Sequence, residues 1–360
     1  MAEKLKVGII GCGGIANGKH MPSLDNYEKV EMVAFCDIII ERAEKAKEKY
    51  GTKDAKVYEN YKELLEDKSI DVVHVLTPNK SHAMITIDAL ESDKHVLCEK
   101  PMAKTYAEAK DMCDTAKRTG KLLTIGYQYR YEKLQWQLYE YCRKGALGEI
   151  YHAKAHAIRR RAVPTWGVFL NEEEQGGGPL IDIGTHSLDL TLWLMDNYKP
   201  SYVIGNTYFE LAKTENAANA WGPWDTKKFT VEDAAFGFVV MENGATITLD
   251  ATWAVNMRRS GEGITTLCGT KAGADLWDGL IINGEEDGVL YEKKIDTNIG
   301  GVAFYEGSGN LKASEIEVRN FYGAIIDGTE LIVKPEQAMV VTQILEGIYE
   351  SAKTRKPVRL

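Results

Sequence analysis

The sequence predicts an α/β domain with a doubly wound parallel sheet, followed by an α+β domain built on a large open, mainly antiparallel sheet. Three observations lead there. The chain has 360 residues, beyond the roughly 250–300 at which a single hydrophobic core stops growing, so two domains are expected. From Leu5 to about Gly126, short β-branched runs alternate with helical patterns, the mark of βαβ units. After Gly126, strand patterns outnumber helical ones. The expected domains are 1–127 and 128–335, with a C-terminal helix and tail over 336–360.

In the first half, Leu5–Ile10, Val30–Cys36, Asp71–Thr77, His95–Cys98 and Leu122–Ile125 read as strands. Several are apolar without polar alternation, as strands covered by helices on both faces are. In the second half a helix is expected over Glu132–Arg143, a turn at Gly145–Gly148 and a helix after Gly176–Gly178. Strands follow at Tyr202–Phe209, Phe229–Met241, Ala245–Trp253 and Thr265–Cys268, and Asn243-Gly244 marks a hairpin. The closing helix, Glu336–Ser351, sets Met339, Ile344, Leu345 and Ile348 at helical spacing.

Composition narrows the function. A hydrophobic fraction of 44% with 27% charged residues is ordinary for a globular protein, and no apolar stretch approaches the ~20 residues needed to cross a bilayer. The N-terminus MAEKLKVGII runs from a charged lead directly into a strand, without the apolar region and cleavage site of an export signal, so a cytoplasmic location is expected. Cys12, Cys36, Cys98, Cys113, Cys142 and Cys268 form no CxxC pair, which favours reduced thiols over disulfides or a zinc site. A net charge of −9 opposes attraction to phosphate backbones. Neither nucleic acid nor membrane is therefore expected as a partner, and Arg159-Arg160-Arg161 reads as a solvated strand end.

The first strand runs into Gly11-Cys12-Gly13-Gly14-Ile15-Ala16, a G-x-G-x-x-A pattern between a strand and a helix. Gly11 permits the tight turn, Gly13 lets the backbone approach a pyrophosphate, and Ala16 is small enough for close helix–strand packing, with phosphates facing the helix N-terminus. Asp37 follows at the end of the second strand, where a carboxylate accepts hydrogen bonds from adenosine ribose hydroxyls and repels the extra phosphate of NADP. NAD is the expected cofactor. Arg42, five residues on, reads either as a compensating cation or as a solvated helix residue.

Two further clusters carry chemistry. Glu99-Lys100-Pro101 follows the His95–Cys98 strand, at the strand end where ligands bind in open parallel sheets; Lys100 reads as aimed at that site or as a surface lysine. In the helix after Gly176–Gly178, Asp182, His186, Asp189 and Trp193 fall within about 60° of one another on an otherwise apolar helix. Burying such a stripe without partners costs about 2 kcal/mol or more per polar group. The stripe is therefore expected to face a cavity or partners. An imidazole suits proton transfer at neutral pH, and Asp182, one turn away, can orient it or bond a substrate hydroxyl. A structural Asp–His pair is the alternative, and a metal site from Asp182, His186 and Asp189 is disfavoured by competition from a nearby lysine.

With these motifs in this order, the sequence resembles the Gfo/Idh/MocA oxidoreductases over nearly its whole length. Gly11–Ala16, Asp37, Thr77-Pro78-Asn79-Lys80-Ser81-His82, Glu99-Lys100-Pro101, the glycine-rich segment leading to Asp182 and His186, and the ending Gly347-Ile348-Tyr349-Glu350-Ser351-Ala352-Lys353 all match. The resemblance implies an N-terminal Rossmann domain and a second domain whose open sheet forms subunit contacts, hence a homo-oligomer: dimer, tetramer or hexamer. It implies proton-transfer roles for Lys100, Asp182 and His186, with His186 the acid/base. Gly11, Gly13, Gly14, Ile15, Asp37, Arg42, Thr77, Pro78, Asn79, His82, Glu99, Lys100 and Gln128 are then expected to line NAD. Lys100, Arg130, Arg159, Asp182 and His186 are expected to line the substrate, with no metal; Trp166, close before Gly176–Gly178, reads either as an aromatic face lining the substrate or as a core or subunit-interface anchor.

The expected reaction is hydride transfer between NAD and a secondary alcohol or ketone of a sugar, glycoside or cyclitol. The segment from Arg159 to Phe169 resembles gut-bacterial glycoside 3-oxidases, which implies C3 of a glucoside as a reacting position. Two other functions stay open: a glycoside-cleaving enzyme that retains NAD and oxidises its substrate transiently, and an NAD(H)-sensing binding protein.

Overall fold

A computed structural model describes residues 4–296 and 311–360. The chain forms two compact units, Met1–Tyr131 with Asn310–Met339, and Glu132–Gly309 with Val340–Leu360.

The first unit holds β1 (Leu5–Ile10), α1 (Met21–Asp25), β2 (Val30–Cys36), α2 (Ile40–Tyr50), β3 (Lys56–Tyr58), α3 (Tyr61–Glu66), β4 (Val72–Val75), α4 (His82–Glu91), β5 (His95–Cys98), α5 (Tyr106–Thr119) and β6 (Leu123–Ile125). Its six strands are parallel in the order β3-β2-β1-β4-β5-β6. The direction of winding reverses between β1 and β4, and the crevice at such a switch point is where dinucleotides bind. The residues of β4 are all buried, as a strand covered on both faces requires. Thr105 and Glu108 close a capping box on α5, and Gly120 ends it at φ +70°.

In the second unit come α6 (Lys133–Arg143), β7 (Ile150–Ile158), α7 (Glu172–Gln175), α8 (Thr185–Met195), β8 (Pro200–Tyr208), β9 (Ala234–Met241), β10 (Thr246–Thr252), β11 (Gly261–Gly269), β12 (Ala272–Asp275), β13 (Leu280–Glu286) and β14 (Val289–Ile295). The sheet order is β14-β13-β12-β11-β7-β10-β9-β8-β15, with β15 at Val358–Arg359. Among the described residues of this sheet only strands β7 and β10 pair in parallel; the other strand pairings are antiparallel. Helix α8 lies on β7 and β11, where the fully buried Ala153, Ala155 and Ala157 let it come close. The opposite face stays open: Tyr202, Ile204 and Phe238 share it and are 39%, 43% and 37% exposed.

The fold class is the expected one, with two differences in how the chain is used. Helix α9 (Ala313–Asp327), which the sequence reading did not pick out and whose residues fall within the expected second domain, joins the first unit instead, because Val318, Phe321 and Tyr322 complete the core around Val7, Ile9, Met21, Leu24 and Phe35. Helix α10 (Pro335–Thr354) is one continuous helix that contributes residues to both units.

Candidate functional site

The C-terminal edge of the parallel sheet gathers most of the residues expected to hold the cofactor. Gly11 leaves β1 at φ +94°, and a Cβ there would lie 2.6 Å from the Leu76 carbonyl oxygen, so the turn itself demands glycine. Gly13 and Gly14 are different: a Cβ on either would meet nothing within 4 Å. Their smallness serves no packing purpose within the protein and matches a loop that a pyrophosphate must approach. The helix that follows opens on a π-helical turn, Ala16–His20, a feature often found at functional sites.

Asp37 directly follows β2, with Oδ2 accepting from Cys12 N at 2.9 Å and Oδ1 from Ile39 N at 2.9 Å. These bonds aim the carboxylate along the loop and leave lone pairs for ribose hydroxyls. Ile15, Ile38 and Ile39 flank it at 44%, 84% and 42% exposure, apolar surface suited to a purine face; Ile38 and Ile39 were not picked out by sequence reasoning. Arg42 is exposed in the first turn of α2. Thr77, Pro78 and Asn79 follow β4 on the same edge, half-buried to exposed, and Gln128 lies half-buried after β6.

Glu99 and Lys100 leave β5 together, and the Lys100–Pro101 peptide is cis. Glu99 is buried at the centre of a charged cluster. Its Oε1 meets Lys19 Nζ at 3.1 Å and His20 Nε2 at 2.8 Å, while Oε2 accepts from Lys100 N at 2.9 Å. Lys19 also pairs with Glu317 at 2.9 Å. Burial alone would raise the Glu99 pKa, but Lys19, His20 and Lys100 hold it well below the usual carboxylate range. Behind His20, His74 meets its Nδ1 at 3.3 Å and the Tyr322 hydroxyl at 3.0 Å. The structure thus turns Glu99 inward, where it anchors the backbone of Lys100; Lys100 itself is half-buried.

His82 is likewise a tie within the first unit. Its Nδ1 lies 2.7 Å from the Pro101 carbonyl and its Nε2 2.8 Å from the Thr77 carbonyl. Two carbonyl acceptors call for two N–H donors, so the ring carries both protons. Burial opposes that charge, but Cys98 and the two carbonyls outweigh it and raise the pKa to about 9. Arg130, expected against substrate, is fully buried, and its Nη1 bonds the Ile332 carbonyl at 2.9 Å and Gln337 Oε1 at 2.6 Å.

In the second unit the polar helix opens on another π-helical turn, Leu180–Gly184, continuous with α8. Asp182 is buried with Oδ2 accepting from Trp253 Nε1 at 3.1 Å, and His186, one turn on, is half-buried. The far end of the stripe does not face a cavity. Trp193 stacks on Tyr139 with ring centroids 4.1 Å apart and touches Trp136 at 5.6 Å, packing α8 against α6. Among the described residues no three His, Cys, Asp or Glu side chains converge on a metal position.

Arg159 is held in a bidentate pair with Glu262 at 2.7 and 2.9 Å. Trp166 is 51% exposed and meets Trp221 edge-on at 4.8 Å and Phe169 at 5.9 Å. It lines a cleft of about 520 Å³ with Leu170, Trp224 and Lys228. Burial pushes the thiols of Cys12, Cys36, Cys113 and Cys142 up to about 12, so none is a nucleophile at neutral pH.

A parallel sheet with this order, a glycine loop with open space over it and a carboxylate at the end of β2 define an NAD-binding oxidoreductase. Residues 5–127 match the profile of the oxidoreductase family with an NAD-binding Rossmann fold, and residues 136–275 match the GFO/IDH/MocA C-terminal domain. The chain belongs to the Gfo/Idh/MocA family of NAD-binding oxidoreductases. It is 35% identical over 362 residues to D-glucoside 3-dehydrogenase of Escherichia coli strain K12, covering 100% of this chain and 98% of that one. Among solved structures it is similar to aldose-aldose oxidoreductase from Caulobacter crescentus complexed with glycerol, with a TM-score of 0.78 at 24% identity over 99% of this chain and 100% of that one. A levoglucosan dehydrogenase in complex with NADH and levoglucosan aligns with a TM-score of 0.80 at 22% identity, covering 99% of both chains. Among the described residues no helix is long and apolar enough to cross a membrane.

Proposed function

We propose that the protein transfers a hydride between NAD and a secondary carbinol of a sugar, glycoside or cyclitol, with C3 of a glucoside the favoured position. The observation that carries this reading is the full-length identity to D-glucoside 3-dehydrogenase, with Lys100, Asp182 and His186 all present. When bound, NAD supplies the hydride acceptor or donor. His186 takes the hydroxyl proton during oxidation and returns it during reduction. Lys100 donates to the carbinol oxygen and stabilises charge that develops there. Asp182, steadied by Trp253, orients the imidazole or the hydroxyl.

The apolar face of Trp166 suits the C–H face of a pyranose ring or an aglycone. Arg130 and Arg159, already bonded to protein acceptors, are left out of the substrate set. The open sheet face with Tyr202, Ile204 and Phe238 supports a homo-oligomer, and the protein is proposed to act in the cytoplasm. The test is to offer NAD with a panel of methyl glucosides, free hexoses and cyclitols and to follow nicotinamide absorbance. NADH formation with at least one carbinol is expected. Glycoside cleavage without net NADH would establish the retained-cofactor alternative instead.

A further inference from the structure

The glycine run before the catalytic helix is gripped by a side chain that the reaction itself does not use. Glu232 is 2% exposed and lies just before β9. Its Oε2 accepts from Gly178 N at 2.8 Å, and its Oε1 accepts from Leu180 N at 3.1 Å and from the Tyr349 hydroxyl of α10 at 2.9 Å. The fit leaves no room for side chains on the run. A Cβ at Gly178 would stand 2.2 Å from the Glu232 carbonyl oxygen, and one at Gly177 would stand 2.0 Å from the Tyr349 hydroxyl oxygen.

The same segment reaches Asp182 by two routes. Gly178, held through its N–H by Glu232, accepts Asp182 N through its carbonyl at 3.0 Å. Asp233, the next residue, accepts Trp253 N at 2.9 Å through its carbonyl, and Trp253 Nε1 holds Asp182 Oδ2. A closed circuit therefore runs Glu232, Gly178, Asp182, Trp253, Asp233.

We propose that Glu232 is a positioning residue for the reaction: with Tyr349 it clamps Gly177 and Gly178 and thereby sets where Asp182 and His186 stand. The proposal rests on the reading of Asp182 and His186 given above. The groups facing the carboxylate are two peptide N–H groups and the Tyr349 hydroxyl, with no cation paired to it among the described residues. Burial outweighs those donors and raises the Glu232 pKa to about 7, so the clamp changes protonation near neutral pH. The ionised form accepts all three donors; the protonated form gives up acceptor capacity and loosens the helix start.

The test pairs Glu232→Gln with Tyr349→Phe. The substituted amide cannot titrate and turns a donor of its own toward peptide donors, so kcat should fall at least about tenfold with the Kd for NAD unchanged. The part of the acidic fall in kcat that belongs to Glu232 should disappear from the pH profile. Tyr349→Phe should lower kcat by a smaller factor and keep the titration. Amide exchange across 178–186, which needs no substrate, should speed up in both. If Glu232→Gln does not fold, Tyr349→Phe decides: unchanged kcat and unchanged exchange overturn the clamp. An inactive His186→Ala beside a Glu232→Gln enzyme with wild-type kcat and pH profile overturns the clamp alone, whereas an active His186→Ala overturns the reading beneath it.

Discussion

Two glycine-rich turns in this molecule look alike in sequence and do opposite work. Both precede a helix that opens on a π-helical turn, at Ala16–His20 and at Leu180–Gly184. In the first, Gly13 and Gly14 face empty space, so their lack of a side chain serves something that arrives. In the second, Gly177 and Gly178 are pressed against Tyr349 and Glu232, so their lack of a side chain serves the fold. The difference separates a loop left open from a helix start held shut by its neighbours. Glycine content alone cannot make that distinction; the neighbours of the absent Cβ can.

The largest effect that would sharpen the contrast is in the first turn of the locked helix. His186→Ala should lose roughly 10²–10⁴-fold in turnover while its calorimetric Kd for NAD stays at the wild-type value. Unchanged turnover would reduce the helix to scaffold. The glycines come next. Gly178→Ala must displace backbone and should cost about 1–3 kcal/mol or more, read as a lower urea midpoint. Gly13→Ala should leave that midpoint in place and weaken NAD by about tenfold or more. Equal behaviour of the two variants would erase the distinction drawn here.

A smaller effect follows from His82. Its folded pKa, about 9, is raised above the ordinary value of 6.5, so the stability it contributes is fully present below about pH 6.5 and is lost as pH rises through about 9. The gap in urea midpoint between wild type and His82→Asn should therefore narrow from pH 6.5 to 10. A gap that widens with pH would mean the ring is neutral between its two carbonyls.

Much of the first unit was legible because its strands are continuous apolar runs: β1, β2 and β5 lie where the sequence places them. The edge strand β3 is only three residues, with no apolar run to announce it. In the second unit β7 escaped because IYHAKAHAI sets His and Lys on the open face and alanine on the buried one, which weakens the alternation. The strand expected over Phe229–Met241 begins at Ala234, where pairing with Thr252 and Tyr208 starts, and Glu232 just before it turns its carboxylate to Gly178 N and Leu180 N. Helix α9 was missed as a member of the first unit because its partners lie far away in the chain, as Asn26 with Glu315, 289 residues apart, illustrates. At the site, Gly11, Gly13 and Asp37 stand at the strand ends as read. Glu99, His82 and Arg130 were read as facing ligands, and the burial of each depends on partners that only the fold supplies.

The central claim is that this protein moves a hydride from a ring carbinol to NAD. The most direct measurement is to incubate it with NAD and ring-deuterated methyl glucosides, hexoses and cyclitols, and to weigh the nicotinamide by mass spectrometry. The account predicts deuterium in the reduced nicotinamide together with a keto sugar or keto cyclitol, in wild type and not in His186→Ala. A protein that binds NAD yet leaves every deuterated carbinol intact, with no label in the nicotinamide, would contradict it.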